Sequence, residues 1–161
     1  MMKQYDVLEV LREVRDPAKL ALIVVQDEKG KFNATTLEWF MKTSFKPPMF
    51  AVSVAHTRYS HHCLNSFRYF NLCLPDTQQV EAVKLCGSLS GKDTDKFELA
   101  KLEYFPGKLS KLPIIKDALA NFECKIISQV NSGDHTIFTG EIVYAWLDKN
   151  RSVMTYSELL S

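Results

Sequence analysis

The strongest constraint on the fold lies in the C-terminal part of the chain. Apolar or small residues recur there at every second position, at Phe138, Gly140, Ile142, Tyr144 and Trp146. This is the side-chain period of a β-strand. The segment Asn121 to Val130 alternates in part, and Ser132-Gly133-Asp134 supplies turn residues between the two segments. The pattern predicts two long antiparallel strands joined as a hairpin.

Further strands are predicted upstream. Leu20 to Gln26 is rich in β-branched residues, and the turn residues Asp27 to Gly30 separate it from Lys31 to Thr36, which predicts a second hairpin. Met49 to Ala55 follows two prolines, and Tyr69 to Leu74 is a further short strand. At least six strands with few helices favour a mainly β fold, an antiparallel barrel that is closed or partly closed.

Only short helices are expected between the strands. Asp76 or Thr77 can cap a helix that carries apolar residues at helical spacing and ends at Gly87. Asp95 can begin a second short helix that runs through Leu102. Residues 106–113, which contain two prolines and a glycine, are typical of a surface loop.

Composition limits the class of protein. The chain has 161 residues with 46% hydrophobic and 24% charged residues, an ordinary balance for a single globular domain spanning 1–161. The net charge of +1 with dispersed basic residues argues against nucleic acid or an anionic membrane as partner. No apolar run reaches the roughly 18 residues needed to span a bilayer, so a cytoplasmic location is expected. The four cysteines form no C-x-x-C pair and are expected to be reduced and mostly buried.

The segment Ala55 to Leu64 contains the clearest chemical signal. A strand ends in Thr57 and Arg58, and Ser60 is placed to cap a short helix that ends near Phe67. Free helix N–H groups and a guanidinium would then converge on a phosphate-sized anion. The alternative is an ordinary capped helix with a solvated arginine. A second alternative is a metal site in which His56, His61, His62 and Cys63 are the candidate ligands. No second cluster of ligands with zinc-like spacing accompanies them.

Three other segments are candidates for ligand contact. Asn33 to Trp39 can present amides to a planar heterocycle, although Thr35 and Thr36 could be plain strand residues and Trp39 a buried anchor. Gly87 to Lys92 lacks the spacing and the Ser or Thr of a nucleotide triphosphate loop, and no G-x-G-x-x-G is present. It is a hydroxyl-rich turn. A lone histidine, His135, lies near the C-terminal hairpin.

Taken in order, five motifs resemble the flavin reductase-like family of FMN-binding split β-barrels, which includes flavoredoxins. They are N-A-T-T-L-E-W at 33–39, S-F-K-P-P-M-F-A-V-S-V at 44–54, T-R-Y-S at 57–60, S-G-K-D-T-D-K-F at 90–97 and G-D-H-T-I-F-T-G-E-I at 133–142. The resemblance extends from about Pro17 onward. It implies a homodimer with FMN near the subunit interface.

The resemblance also implies roles for individual residues. Residues implied to bind FMN are Asn33, Thr35, Thr36 and Trp39 near the isoalloxazine ring, Ser53, Val54 and Ala55 through the backbone, Arg58, Tyr59 and Ser60 at the phosphate, and Ser90 and Lys96 at the phosphate or ribityl chain. His135 is implied to lie beside the reactive face of the ring as the catalytic residue. The family often has Met where Thr35 stands and Thr where Ser60 stands.

The implied activity is hydride transfer from NADH or NADPH to FMN, followed by electron transfer to free flavin, a ferric complex or a redox protein. Two alternatives remain open. One is a flavoredoxin-type electron carrier that binds FMN and does not react quickly with nicotinamides. The other is a non-catalytic FMN-binding module.

Overall fold

Strands dominate the computed structural model of the chain, in which residues 2–14 and 17–161 are described. The strands are β1 (Ala21–Gln26), β2 (Phe32–Leu37), β3 (Phe40–Phe45), β4 (Pro48–Ala55), β5 (Tyr69–Leu74), β6 (Tyr104–Pro106), β7 (Pro113–Ile115), β8 (Ala120–Ser132) and β9 (His135–Leu147). The helices are α1 (Val7–Glu13), α2 (Tyr59–Ser66), α3 (Val80–Ser88), α4 (Lys96–Leu99) and α5 (Tyr156–Leu160), with a 3₁₀ turn at Thr77–Gln79. The mainly antiparallel β class predicted from the sequence is confirmed.

Seven strands form one antiparallel sheet in the order β2-β1-β5-β8-β9-β4-β3. β2 and β3 lie at opposite ends of this order, yet only Glu38 and Trp39 separate them in the chain. The three Cα–Cα steps from Leu37 to Phe40 span about 11 Å at most, so the sheet must curl until its two edges lie close together. Across the described residues no ladder joins β2 to β3. The barrel is therefore split at Glu38 and Trp39.

Two apolar clusters lie on opposite faces of β1. Ala21, Ile23 and Val25 point into the barrel, where they pack with Phe70 and Phe138. The alternate residues of the same strand pack outside the barrel against the face that α3 covers, and they are Leu22 and Val24 together with the preceding Leu20. A strand buried on both faces needs a continuous apolar run rather than an alternating one. This explains the uninterrupted Leu20 to Val25 sequence.

The predicted hairpins and strands are confirmed at β1–β2, β4, β5 and β8–β9. The prediction that α3 ends at Gly87 is wrong, because the helix continues to Ser88. A Cβ at Gly87 would lie 3.2 Å from Cβ of Thr36, so this glycine serves the close packing of α3 on β2. The helix predicted to run through Leu102 also ends earlier, because Lys101 has a φ of 53°.

Neither α1 nor β3 is predicted by the sequence pattern. Asp6 caps α1 by accepting from the N–H groups of Leu8 and Glu9, a local signal that could have identified this helix. β3 is an edge strand whose Met41 and Phe45 side chains are exposed, so it lacks the apolar alternation of a half-buried strand. In the part of the chain that is described, every helix is too short or too polar to cross a membrane.

Candidate functional site

Two connected cavities open at the split of the barrel. The larger is a cleft of about 790 Å³, lined by Leu8, Leu11, Arg12, Ile23, Thr35, Thr36, Leu37, Glu38, Trp39, Ser53, Val54, Ala55, Thr57, Arg58 and His135. The smaller has about 220 Å³ and is lined by Asn33, Thr35, Thr57, Arg58, Tyr59, Ser88, Leu89, Ser90, Gly91 and Lys96. Thr35, Thr57 and Arg58 line both, so a single elongated ligand can occupy the two together.

The predicted site residues converge on these cavities. Segments from β2, β4, the start of α2, the 88–91 turn and the start of β9 meet there, although they are far apart in the chain. Every predicted residue except Ser60 lines one cavity or both. That these residues contact a cofactor stays a prediction, but the fold does bring them to one place.

An aromatic pair stands at the mouth of the larger cleft. The rings of Trp39 and His135 lie 4.6 Å apart between centroids, at an interplanar angle of 35°. Trp39 is 56% exposed, so the alternative that it is a buried anchor is wrong. Nδ1 of His135 lies 2.6 Å from Oδ1 of Asp134, and this hydrogen bond lowers the pKa of the Asp134 carboxyl. The pair fixes the orientation of the imidazole and leaves Nε2 as the ring nitrogen not engaged by Asp134.

Arg58 occupies the N-cap of α2 and its side chain makes no capping hydrogen bond. The prediction that Ser60 caps this helix is wrong, because Ser60 is already inside the first turn and is 1% exposed. Its hydroxyl instead lies 2.6 Å from Oγ1 of Thr35 and accepts from Nδ2 of Asn33. Arg58 and Tyr59, at the start of α2, line the smaller cavity, and Ser60 does not.

A buried ammonium forms one wall of the smaller cavity. Lys96 is 2% exposed, and its Nζ donates to the carbonyl oxygens of Ala34 and Cys86 at 3.0 and 2.9 Å and lies 3.5 Å from Oγ1 of Thr35. Within residues 2–14 and 17–161, no carboxylate forms an ion pair with it. Burial is the main cause that lowers the pKa of Lys96 to about 8; Cys86 acts in the opposite direction, and the positive charge of Arg58 contributes to the lowering.

A buried acceptor in the same cavity has no partner. Oδ1 of Asn33 is buried and makes no hydrogen bond within the described chain. A Cβ at Gly91 would overlap this oxygen, so only glycine permits the turn to approach so closely. An unpaired buried acceptor is unfavourable unless a donor reaches it. The hydroxyl of a bound ligand could supply that donor.

Tyr59 lines the smaller cavity but its hydroxyl is turned away from it. The phenol donates to Oδ2 of Asp27 in the β1–β2 turn at 2.9 Å. Burial raises the pKa of Asp27, but hydrogen bonds from the Lys31 N–H, the Tyr59 hydroxyl and the Lys29 N–H outweigh it and lower the pKa overall. Tyr59 thus ties α2 to the β1–β2 hairpin and holds the start of the helix against β2.

The residues considered as metal ligands have other partners. Nε2 of His56 and of His61 lie 3.1 and 2.8 Å from Oγ1 of Thr136, while His62 pairs with Glu28. Cys63 is free and buried, as are the other three cysteines, which agrees with the expected reduced state. In the described part of the chain, no three His, Cys, Asp or Glu side chains are grouped as metal ligands.

Two features of the site were not predicted from the sequence. α1 contributes Leu8, Leu11 and Arg12 to the larger cleft, at i, i+3 and i+4, the spacing of one helix face. Gly91 was part of the hydroxyl-rich turn, but its contact with Asn33 depends on two segments 58 positions apart in the numbering. A helix cap signal at Asp6 could have indicated α1; its position over the cleft could not have been inferred.

The chain is thus a split antiparallel barrel whose larger cleft adjoins a small pocket lined by two cationic side chains, Arg58 and Lys96. The model of the family described as flavin reductase like domain matches residues 15–158. The chain belongs to this family.

Relatives and solved structures agree with that assignment. An uncharacterized protein of Archaeoglobus fulgidus is 35% identical over 128 residues, which cover 80% of this chain and 71% of the relative. An NADH-dependent FAD reductase of Streptomyces globisporus is 28% identical, with 91% and 80% covered. Flavoredoxin from Methanosarcina acetivorans has a TM-score of 0.76 at 29% identity, with 82% and 69% covered. An FMN-binding protein from Thermus thermophilus has a TM-score of 0.80 at 27% identity, with 92% and 83% covered.

Proposed function

We propose that this chain is an FMN-binding NAD(P)H:flavin oxidoreductase. The observation that carries the proposal is the buried ammonium of Lys96 beside the guanidinium of Arg58, in a small cavity that opens into a larger cleft. Two cations with no carboxylate between them among the described residues call for an anion of higher charge than a carboxylate, such as a phosphate monoester. The adjoining cleft, with its aromatic mouth, suits the ring of the same molecule.

The residues present fit FMN at three places. Arg58, Lys96 and the first N–H groups of α2 would hold the phosphate, with Ser90 at the rim of the same cavity. Oδ1 of Asn33, the unpaired acceptor, would receive a ribityl hydroxyl. The ring would lie along the wall formed by Thr35, Thr36 and residues 53–55.

The bound FMN would supply the redox chemistry, because its ring accepts a hydride and passes on one or two electrons. His135 would orient the nicotinamide of NADH or NADPH, since its ring is held by Asp134 and by Trp39 at the open side of the cleft. The acceptor would be free flavin, a ferric complex or a redox protein. The relative named as an NADH-dependent FAD reductase supports nicotinamide as the donor.

The activity is tested by reducing the reconstituted protein anaerobically. NADH or NADPH is mixed with the FMN-loaded protein in a stopped-flow instrument. We expect the flavin absorbance to bleach within about a second, as typical enzyme turnover rates require. The control is dithionite, which reduces bound flavin irrespective of a nicotinamide site. Bleaching by dithionite but by neither nicotinamide would contradict the reductase proposal.

That contrary outcome would support the second candidate, a flavoredoxin-type electron carrier. The likeness to flavoredoxin from Methanosarcina acetivorans favours this candidate, at 29% identity over 82% of the chain. The two candidates share the FMN site and differ only in whether a nicotinamide reaches the ring.

We further propose that the chain acts as a homodimer. The aromatic residue Trp146 does not require a partner, because it packs on Phe105 and donates to Glu123 within the chain. Met41 and Phe45 on the edge strand β3 are 63% and 87% exposed, however, and all of α1 is unburied. Exposed apolar residues concentrated on one edge strand and one helix are typical of an interface.

We therefore expect light scattering to give about twice the 18.4 kDa mass of one chain. Phe45→Asp is expected to shift the protein toward monomer, while Lys42→Asp on the same strand serves as a control for added negative charge. A wild-type protein that is monomeric and still retains its flavin would contradict the dimer proposal.

A further inference from the structure

Lys96 is placed where its charge is hard to maintain without a neighbouring anion. Its ammonium is buried, its acceptors are two carbonyls and one hydroxyl, and Arg58 adds a second positive charge nearby. Charged groups without an opposite charge are disfavoured in such surroundings, and an amine can relieve the cost by losing its proton. Arg58 cannot, because guanidinium stays protonated. Any adjustment of charge in this cavity therefore falls on Lys96.

The other titratable groups around Lys96 do not offset its charge. From α3, Cys86 is the only titratable group with a resolved effect on it, and the thiol pKa is raised to about 11 by burial. At the start of α2 the groups are Arg58 and Tyr59, whose hydroxyl is bonded to Asp27. On α4, the Asp95 carboxylate caps the helix by accepting from the N–H of Glu98.

Two further lysines lie on segments next to the cavity, and the 88–93 turn also carries the exposed Asp93. Nζ of Lys31, from β2's hairpin, donates to the carbonyl of Gly91 at 2.9 Å, and Lys92 in the 88–93 turn is exposed. Both are positive, so they too favour an anion in the cavity and do not neutralise Lys96. Among the residues that line the cavity, Lys96 is the one whose pKa is lowered into the range between pH 7 and 9.5.

We propose that Lys96 couples the binding of a phosphate monoester in this cavity to the uptake of one proton by its amine. The inference rests on the proposed function, in which the phosphate of FMN occupies the smaller cavity. An anion beside Nζ stabilises the ammonium, and by reciprocity the ammonium stabilises the anion. Loss of the proton removes one of the two cations and leaves Arg58 as the remaining one among the cavity-lining residues.

The coupling has a calculable size. Burial lowers the pKa of Lys96 to about 8 from an ordinary value of 10.5. If a bound phosphate restores it to between about 9.5 and 10.5, the Kd for FMN rises about 15- to 30-fold from pH 7 to pH 9.5. Near pH 8.5, binding takes up about 0.7 proton by the same relation. The phosphate itself is fully ionised across this range, because its second pKa is about 6.

The test compares FMN with riboflavin, which has the same ring and no phosphate. Fluorescence titrations at pH 7.0, 8.5 and 9.5 should show FMN weakening 15- to 30-fold more than riboflavin. Calorimetry of FMN binding at pH 8.5, in two buffers of different ionisation enthalpy, should show the uptake of about 0.7 proton. Both measurements use the wild-type protein, so they do not depend on any variant folding.

Variants assign the effect to one residue. Lys96→Met should weaken the binding of FMN at pH 7 and abolish both the extra pH dependence and the proton uptake. Lys92→Met is the matched control at an exposed lysine of the adjoining turn, and it should keep both effects. The coupling would be overturned if FMN binds more tightly than riboflavin by the same factor from pH 7 to 9.5 and binds without proton uptake. The proposed phosphate site would then still stand. Equal affinity for FMN and riboflavin at pH 7 would overturn the proposed function itself.

Discussion

Replacing Arg58 by alanine is expected to weaken FMN binding about ten- to a hundredfold. The guanidinium lines both cavities, and each charge-assisted hydrogen bond to a phosphate contributes about 1.5 to 3 kcal/mol. The substitution should leave the fold intact, because Arg58 is exposed and its side chain makes no capping hydrogen bond to α2. Fluorescence titration with FMN and with riboflavin measures the effect, and riboflavin affinity should change little.

Two comparisons make this result specific. Arg68→Ala removes the same charge from a residue that lines neither cavity, and it should preserve the affinity for FMN. Arg58→Lys should fall between wild type and alanine, because an ammonium keeps the charge but not the planar, two-pronged geometry. If Arg58→Ala weakens riboflavin as much as FMN, Arg58 supports the ring or the fold and the assigned phosphate role is wrong.

Replacing His135 by alanine is expected to slow the reduction of bound FMN by NADH or NADPH about ten- to a hundredfold. The imidazole is held against Trp39 and by Asp134 at the open side of the cleft, where a second planar ring would enter. Loss of an orienting group raises the barrier of the reactive complex and has little effect on a cofactor bound before it. The affinity for FMN should therefore remain close to that of wild type.

Anaerobic stopped-flow bleaching at matched FMN saturation separates these effects. His62→Ala is the matched control, because His62 is paired with Glu28 and lines neither cavity. Equal bleaching rates in wild type and His135→Ala would leave the reductase proposal standing but refute the role of His135. A large loss of FMN affinity in the variant would instead assign His135 to cofactor binding.

Much of the strand framework followed from local chemistry. The period of two in β9, the turn residues at 132–134 and the β-branched run of β1 predict strands because side chains alternate across a sheet and turn residues favour specific backbone angles. The motifs at 57–60, 90–97 and 133–142 likewise indicated which segments form the site. β3 escaped prediction because an edge strand with exposed apolar side chains does not show this alternation.

Helix ends and side-chain partners were predicted less well. Ser60 has the residue type of a helix cap, but the helix starts two residues earlier than a Ser60 cap requires, and the hydroxyl bonds to Thr35 instead. Gly87 has the residue type of a helix stop, but it serves the contact of α3 with β2. In both cases a tertiary contact outweighed the local preference.

Residue types and short spacings predicted most of the antiparallel strands, and the resemblance of five motifs indicated the family and the segments that line the cavities. The burial of the site residues and their hydrogen-bond partners depend on the tertiary structure. The buried amine of Lys96 donates to the carbonyl of Ala34, 62 positions away, and the unpaired Oδ1 of Asn33 lies against Gly91. Burial and the distance between charges set the pKa of an amine, and both arise only when remote segments are brought together.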